Sequence, residues 1–69
     1  MKKLTDYRKT INSLKFWGVP FRTFINDDGD KVIRYNEYSD TDYTDEIFNG
    51  VGKLIQIVDY ENGEVHIQQ

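Results

Sequence analysis

Apolar residues near the start of the chain recur with the spacing of one helical face. Tyr7, Ile11 and Leu14 stand at positions i, i+4 and i+7, so a helical backbone brings them to the same side. Thr5 suits the N-cap because its hydroxyl can accept a backbone hydrogen bond. A glycine and a proline follow the pattern, and both are typical of residues just beyond a helix. The pattern predicts a helix over residues 5–17.

After this helix the apolar residues alternate with polar ones, which is the period of a strand. Residues 21–26 and 31–38 are rich in β-branched and aromatic side chains. Asp28-Gly29 lies between them and favours a tight hairpin, because glycine accepts the positive φ that such turns need. A two-residue and a three-residue loop both fit this stretch, and the two differ by one residue in strand register.

A second hairpin is predicted near the end of the sequence. Asn62-Gly63 separates residues 53–60 from residues 64–68 and is a strong signal for a two-residue turn. Residues 54–58 are apolar toward both faces, which indicates an interior strand. The turn predicts three cross-strand pairs: Tyr60 with Val65, Val58 with Ile67, and Asp59 with His66.

These elements predict the fold class and the domain organisation. The expected architecture is α+β, with one N-terminal helix packed on an antiparallel sheet of about four strands arranged as two hairpins. A chain of 69 residues has room for one core, so residues 1–69 are expected to form a single small domain.

Composition narrows the environment in which the protein works. The chain has no cysteine, which excludes disulfides and zinc sites with thiolate ligands. No apolar run approaches the length of a membrane span, and no signal-type apolar region follows the first residues. We therefore expect a soluble, cytoplasmic protein that does not bind membranes.

Charge is distributed unevenly along the sequence. Residues 1–25 hold six basic groups and one acid, whereas residues 26–50 hold eight acids and two basic groups. Such asymmetry marks either an interaction surface or two segments that pair in the fold.

The most acidic stretch is NEYSDTDYTDEIFNG, residues 36–50, which holds five acids and no Lys or Arg. In one interpretation it is a solvated connection between the hairpins, with Thr44 capping a short helical turn at residues 45–48. In the other it is an acidic surface that docks on a basic patch of another protein, with tyrosines as anchors. The partner-binding residues would then be Glu37, Tyr38, Asp40, Asp42, Tyr43, Asp45 and Glu46.

Metal binding by this stretch is not expected. An EF-hand loop that began at Asp40 would need glycine at its sixth position and glutamate at its twelfth. Those positions hold Asp45 and Val51. We predict no metal site.

Catalysis is not expected either. His66 is the sole histidine of the sequence and its predicted neighbour is Asp59, but no suitable nucleophile accompanies them. The pair is interpreted as a structural cross-strand contact. Gly50-Val51-Gly52 leads into a strand, which is the wrong order for a phosphate-binding loop. We therefore predict no enzyme, no catalytic residue and no cofactor.

Two other functions remain alternatives. An exposed sheet edge or aromatic patch could make a homodimer or a larger assembly. Aromatic rings on the sheet could stack the bases of a single strand, although the many acids make direct nucleic-acid binding unexpected. The rings considered for such stacking are Phe21, Phe24, Tyr35, Tyr38 and Tyr60.

In size, acidity, lack of cysteine and helix-plus-sheet layout, the chain is similar in character to small phage-encoded inhibitors. These include anti-CRISPR proteins that imitate DNA. The similarity implies a non-enzymatic inhibitor whose acidic surface occupies a basic site on a host nucleic-acid-handling protein.

Overall fold

The computed structural model describes residues 3–68, so that Met1, Lys2 and Gln69 lie outside it. Within that range the chain forms one helix and five strands, and the strands make an antiparallel sheet in chain order. The predicted α+β class is confirmed, with five strands instead of about four. The elements are α1 (Asp6–Phe16), β1 (Phe21–Ile25), β2 (Lys31–Ser39), β3 (Asp42–Phe48), β4 (Leu54–Glu61) and β5 (Glu64–Ile67).

The helix forms as its sequence pattern predicts. The side chain of Thr5 accepts a hydrogen bond from the backbone N–H of Arg8, which satisfies one donor of the first turn. Ile11 and Leu14 are buried against the sheet, where they pack with Ile33 and other core residues. Burial of this apolar face, more than helix propensity, holds an element of 11 residues in place.

The acidic stretch is neither a solvated connection between the hairpins nor the site of a short helical turn. Residues 45–48 are not a helical turn but the second half of β3, and β3 occupies the middle of the sheet. Residues 36–50 therefore form a hairpin, made of the end of β2, a turn at residues 40–41 and β3. The strand is stable because its polar side chains find partners on its neighbours, as described below.

The β1–β2 turn is longer than either loop considered from the sequence. Ile25 pairs with Lys31, which leaves five residues, 26–30, in the loop. The Asn26 side chain accepts hydrogen bonds from the backbone N–H groups of Asp28 and Asp30 at 3.0 and 2.9 Å. This Asx-type bonding stabilises a wider turn than Asp28-Gly29 would make by itself.

The β4–β5 turn confirms its prediction in full. Asn62 and Gly63 both have positive φ, of 52° and 81°, as the two-residue turn requires. β4 is an interior strand, as predicted. The three predicted cross-strand pairs are present: Tyr60 with Val65, Val58 with Ile67, and Asp59 with His66.

The sheet has two unlike faces. One face lies under α1 and carries the most buried core residues, Ile33 and Phe48, both 0% exposed. We call the other side, which carries Arg34, Asp45 and Val58, the open face. No helix among residues 3–68 is long and apolar enough to cross a membrane.

Candidate protein-binding surface

Two turns of the sheet lie side by side at one end of the molecule. In an antiparallel sheet of neighbouring hairpins, alternate turns fall at the same end, so the β2–β3 turn meets the β4–β5 turn. The backbone N–H of Asn62 donates to Asp42 Oδ1 at 3.0 Å, and that of Gly63 donates to the carbonyl of Thr41 at 3.4 Å. We call residues 36–43 and 60–64 the hairpin end.

Four carboxylates gather at the hairpin end. Three are exposed to solvent and Asp42 is half-buried. Within residues 3–68, no lysine or arginine lies at ion-pair distance from any of them, although Glu64 lies 3.5 Å from His66 Nε2. The hairpin end therefore presents negative charge that the described part of the chain leaves largely uncompensated. The four residues are Asp40, Asp42, Glu61 and Glu64.

Asp42 has a structural role in addition to its charge. Its carboxylate accepts hydrogen bonds from the Ser39 hydroxyl at 2.8 Å and from the Asn62 backbone. The Ser39 hydrogen bond, followed by that from Asn62, holds the pKa of Asp42 below its ordinary value. Asp42 thus joins the two turns and remains ionised.

Glu37 also lies at this end, but its charge is already paired. The guanidinium of Arg22 donates two hydrogen bonds to its carboxylate, each of 3.0 Å. The hydrogen bond from Arg22, with the charge of that group, holds the pKa of Glu37 below its ordinary value. Both side chains are exposed, so a partner can reach the pair, although it meets a nearly neutral group.

Asp45 lies on the open face and is not available to a partner. Arg34 donates to its two carboxylate oxygens at 2.7 and 2.9 Å, and the side chain of Asp45 is only 9% exposed. The hydrogen bond to Asp45 raises the pKa of Arg34 despite its partial burial. Tyr43 lies beside this pair, with its ring centroid 3.9 Å from the guanidinium carbon of Arg34.

Glu46 lies on the opposite face, near α1. Its carboxylate accepts hydrogen bonds from the Tyr35 hydroxyl at 2.5 Å and from the Thr10 hydroxyl at 3.3 Å. Burial, and then the hydrogen bond to Glu46, raise the pKa of Tyr35. Glu46 therefore ties the helix to the sheet instead of facing solvent.

The seven residues predicted to bind a partner do not form one continuous surface. The structure brings Glu37, Tyr38, Asp40 and Asp42 together at the hairpin end, and places Tyr43 at its border with the open face. Asp45 and Glu46 are consecutive in a strand, so their side chains point to opposite faces. Sequence reasoning missed Glu61 and Glu64. The Asn62-Gly63 signal placed both residues at the β4–β5 turn, but nothing in the sequence placed that turn beside the β2–β3 turn.

Exposed aromatic residues border the same end of the molecule. Tyr38 is 82% exposed, and Phe16 and Trp17 at the end of α1 are 79% and 75% exposed. A groove of about 570 Å³, lined by residues 18–22 and 36–38, contains Tyr38 in its wall and begins at the residue that follows Trp17. Large exposed rings beside a groove are the kind of side chain that dominates binding energy at protein interfaces.

The histidine pair does not have catalytic geometry. His66 is opposite Asp59 in the strand register, but its Nε2 atom lies 3.5 Å from Glu64. Asp59 instead accepts hydrogen bonds from the Thr44 hydroxyl, at 2.6 Å, and from the Gln68 side chain. Among the residues that the structure describes, no three His, Asp or Glu side chains are grouped as a metal site would require.

Comparisons with protein-family models, with curated proteins and with solved structures give no match to this chain.

Proposed function

We propose that this chain is a non-enzymatic protein-binding module whose hairpin end occupies a basic surface on another protein. The observation that carries the proposal is the grouping of Asp40, Asp42, Glu61 and Glu64 on two joined turns, without a lysine or arginine at ion-pair distance in residues 3–68. Like charges held together in this way repel one another, and a cationic partner relieves that repulsion.

A nucleic-acid-handling protein of the cytoplasm is the partner class that we propose. Proteins that bind nucleic acid present lysine and arginine side chains spaced to meet phosphates. Carboxylates on a rigid hairpin end can take the place of those phosphates. The chain would then act as an inhibitor that imitates nucleic acid, as in the small phage-encoded inhibitors to which it is similar in character.

The exposed aromatic side chains supply the second part of the contact. Charge complementarity mainly accelerates encounter and orients the partner. Tyr38 and Trp17 offer apolar area next to the groove, and rings of this kind supply affinity when a partner covers them.

The test compares two variants of equal charge at opposite ends of the sheet. The first carries Asp40→Asn, Glu61→Gln and Glu64→Gln at the hairpin end. The control carries Asp27→Asn, Asp28→Asn and Asp30→Asn in the β1–β2 turn, which lies at the other end. Each set takes the formal net charge from −3 to zero. Asp42 is left unchanged because its hydrogen bonds join the turns.

The binding partner is captured from host lysate by the wild-type chain, and the affinity of the purified partner is then measured for all three proteins. We expect the hairpin-end variant to bind about 10- to 100-fold more weakly and with less salt dependence. The control should bind like the wild type, and duplex DNA should displace the wild-type chain. Equal affinity of the hairpin-end variant and the wild type would contradict the proposal.

A further inference from the structure

Within residues 3–68, β5 is an edge strand, and alternate residues along it direct their backbone N–H and C=O groups away from β4. The Gln68 N–H donates to the carbonyl of Ile57 at 2.8 Å, so Gln68 bonds toward β4. Bonding direction alternates along an antiparallel strand. Glu64 and His66 therefore also bond toward β4, and the backbone groups of Val65 and Ile67 point away from the sheet.

We infer that this edge pairs with β5 of a second copy of the chain, in an antiparallel dimer whose two-fold axis passes through His66. In that register Val65 of each copy lies opposite Ile67 of the other. Because both residues have outward backbone groups, each of these two pairs forms two hydrogen bonds, and the dimer gains four. The sheets of the two copies join into one.

In the same register, the apolar side chains of β5 in one copy lie against those of β5 in the other. Val65 and Ile67 are 56% and 61% exposed, and they lie on the open face, next to Tyr60 and Val58. The second copy would cover these apolar side chains with its own. Exposed apolar side chains on an unprotected edge are typical of strands that pair with another chain.

Charge also fits the second copy. On the face that carries His66, Glu64 lies opposite Gln68 of the second copy, so no carboxylate faces a carboxylate. His66 meets His66 of the second copy, and each has its own Glu64 carboxylate 3.5 Å away to compensate a positive charge.

The other edge of the sheet is less suited to pairing. On β1, Arg22 lies directly across from Arg34 of β2. Pairing of β1 with a second β1 would bring guanidinium groups of both copies onto adjoining strands. Charged side chains on edge strands are one of the devices that prevent such association.

The dimer is expected to dissociate on dilution. A pairing of two four-residue strands buries less than the ~1,200 Å² that is typical of stable complexes. Of the four hairpin-end carboxylates only Glu64 lies in β5, whereas Asp40, Asp42 and Glu61 lie outside the paired strands. The dimer therefore does not depend on the function proposed above. Sedimentation should show a rising dimer fraction as the wild-type concentration approaches ~1 mM.

Proline at an outward position tests which edge is used. Val65→Pro removes one outward N–H from β5 and leaves the bonds to β4 in place. Thr23→Pro is the matched control on β1, where the Asn26 N–H bond to the carbonyl of Asp30 places Thr23 outward by the same alternation. We expect Val65→Pro to be monomeric at ~1 mM and Thr23→Pro to dimerise like the wild type.

A cysteine pair tests the register without reliance on proline. The natural chain has no cysteine. His66→Cys would place two thiols opposite each other at a non-hydrogen-bonded pair, where the Cα atoms lie ~4.5 Å apart and a disulfide can form. Glu64→Cys is the control, because its thiol would lie opposite Gln68 and far from its counterpart. In a glutathione buffer, His66→Cys should become disulfide-linked at least about tenfold faster.

Three results would overturn the inference. The first is a wild-type chain that remains monomeric at ~1 mM. The second is a loss of dimer in folded Thr23→Pro with dimer retained in Val65→Pro. The third is equal cross-linking of His66→Cys and Glu64→Cys, which decides the question even if a proline variant fails to fold.

Discussion

Arg34 and Asp45 form a bidentate ion pair between β2 and β3, on the open face of the sheet. The guanidinium donates to both carboxylate oxygens, at 2.7 and 2.9 Å. It also lies 3.9 Å from the ring centroid of Tyr43 and 5.0 Å from that of Phe24. An acid in the middle of a stretch that resembles an interaction surface thus serves the fold, because it fixes the pairing of two central strands.

Removal of the Asp45 charge should destabilise the protein strongly. Asp45→Asn leaves the Arg34 guanidinium, whose side chain is 20% exposed, without its anionic partner. Breaking a largely buried pair in this way costs about 3 kcal/mol of unfolding free energy. Urea denaturation of the two proteins measures the difference.

Glu37→Gln is the control for that measurement, since it removes the acid of the exposed pair with Arg22. We expect its denaturation midpoint to stay close to that of the wild type, because exposed ion pairs contribute little. Equal losses of unfolding free energy in the two variants would contradict the prediction, because they would show that burial does not strengthen the Arg34–Asp45 pair.

Gly52 should tolerate alanine poorly because two independent constraints meet there. Its φ is +85°, and an added Cβ would lie 2.9 Å from Cβ of Thr5, the N-cap of α1. Its carbonyl also accepts the N–H of Tyr7 at 2.9 Å, so the backbone cannot move away freely. We expect Gly52→Ala to lower the unfolding free energy by about 2–3 kcal/mol.

Gly29→Ala separates the two constraints. Gly29 has nearly the same φ, +83°, but an added Cβ would meet no atom within 4 Å. Its expected cost is therefore the conformational cost of about 1 kcal/mol. Thermal unfolding should rank Gly52→Ala below Gly29→Ala, and the opposite order would contradict the close contact with Thr5.

The elements predictable from sequence are those whose signals are local. Asn62-Gly63 determines the turn, the register and the facing residues of β4 and β5 by its own backbone preferences. Thr5, Ile11 and Leu14 likewise describe α1 within a single stretch. In both cases the sequence signal lies within one short stretch, although α1 is held in place by the burial of Ile11 and Leu14 against the sheet.

β3 could not be predicted in this way because its polar residues are stabilised over long distances. Asp45 meets Arg34 from 11 residues away, and Glu46 meets Thr10 from 36 residues away. Without those partners, a strand with acids on both faces resembles a solvated connection. The same limit applied to the candidate site. The hydrogen bond from Asn62 to Asp42, which brings Glu61 to the β2–β3 turn, forms only through the arrangement of the two hairpins.

Asp42 should make the contact between the turns sensitive to acid. Its pKa is lower in the folded protein than its ordinary value of 3.8, chiefly because of the hydrogen bond from Ser39. A carboxyl group of this kind stabilises the fold above its unfolded pKa, and this stabilisation is lost as the pH falls through the folded pKa. The melting temperature of Asp42→Asn should therefore lie below that of the wild type at neutral pH.

The difference between the two melting temperatures should shrink as the pH is lowered from 3.8. Asp40→Asn is the control, because it removes a carboxylate from the same turn and leaves the hydrogen bonds of Asp42 in place. Its melting temperature at neutral pH should not fall below that of the wild type. If the melting temperatures of Asp42→Asn and the wild type differ by the same amount at every pH, the substitution acts through packing and not through loss of the charge.

Tyr38 should contribute to binding without contributing to stability. Its side chain is 82% exposed and borders the groove beside the end of α1, so Tyr38→Ala removes little that is buried in the free protein. An aromatic anchor at an interface typically accounts for about 2 kcal/mol or more. We expect the affinity for the captured partner to fall at least about tenfold, with the melting temperature unchanged.

Val51→Ala is the matched control for Tyr38→Ala. Val51 is 76% exposed, but it lies in the β3–β4 turn at the other end of the sheet. It should leave both affinity and melting temperature unchanged, because a contact surface at the hairpin end does not reach it. If Tyr38→Ala binds as tightly as Val51→Ala, Tyr38 is not an anchor, and the partner contacts the carboxylates without it. Any aromatic anchor at the hairpin end would then be Trp17.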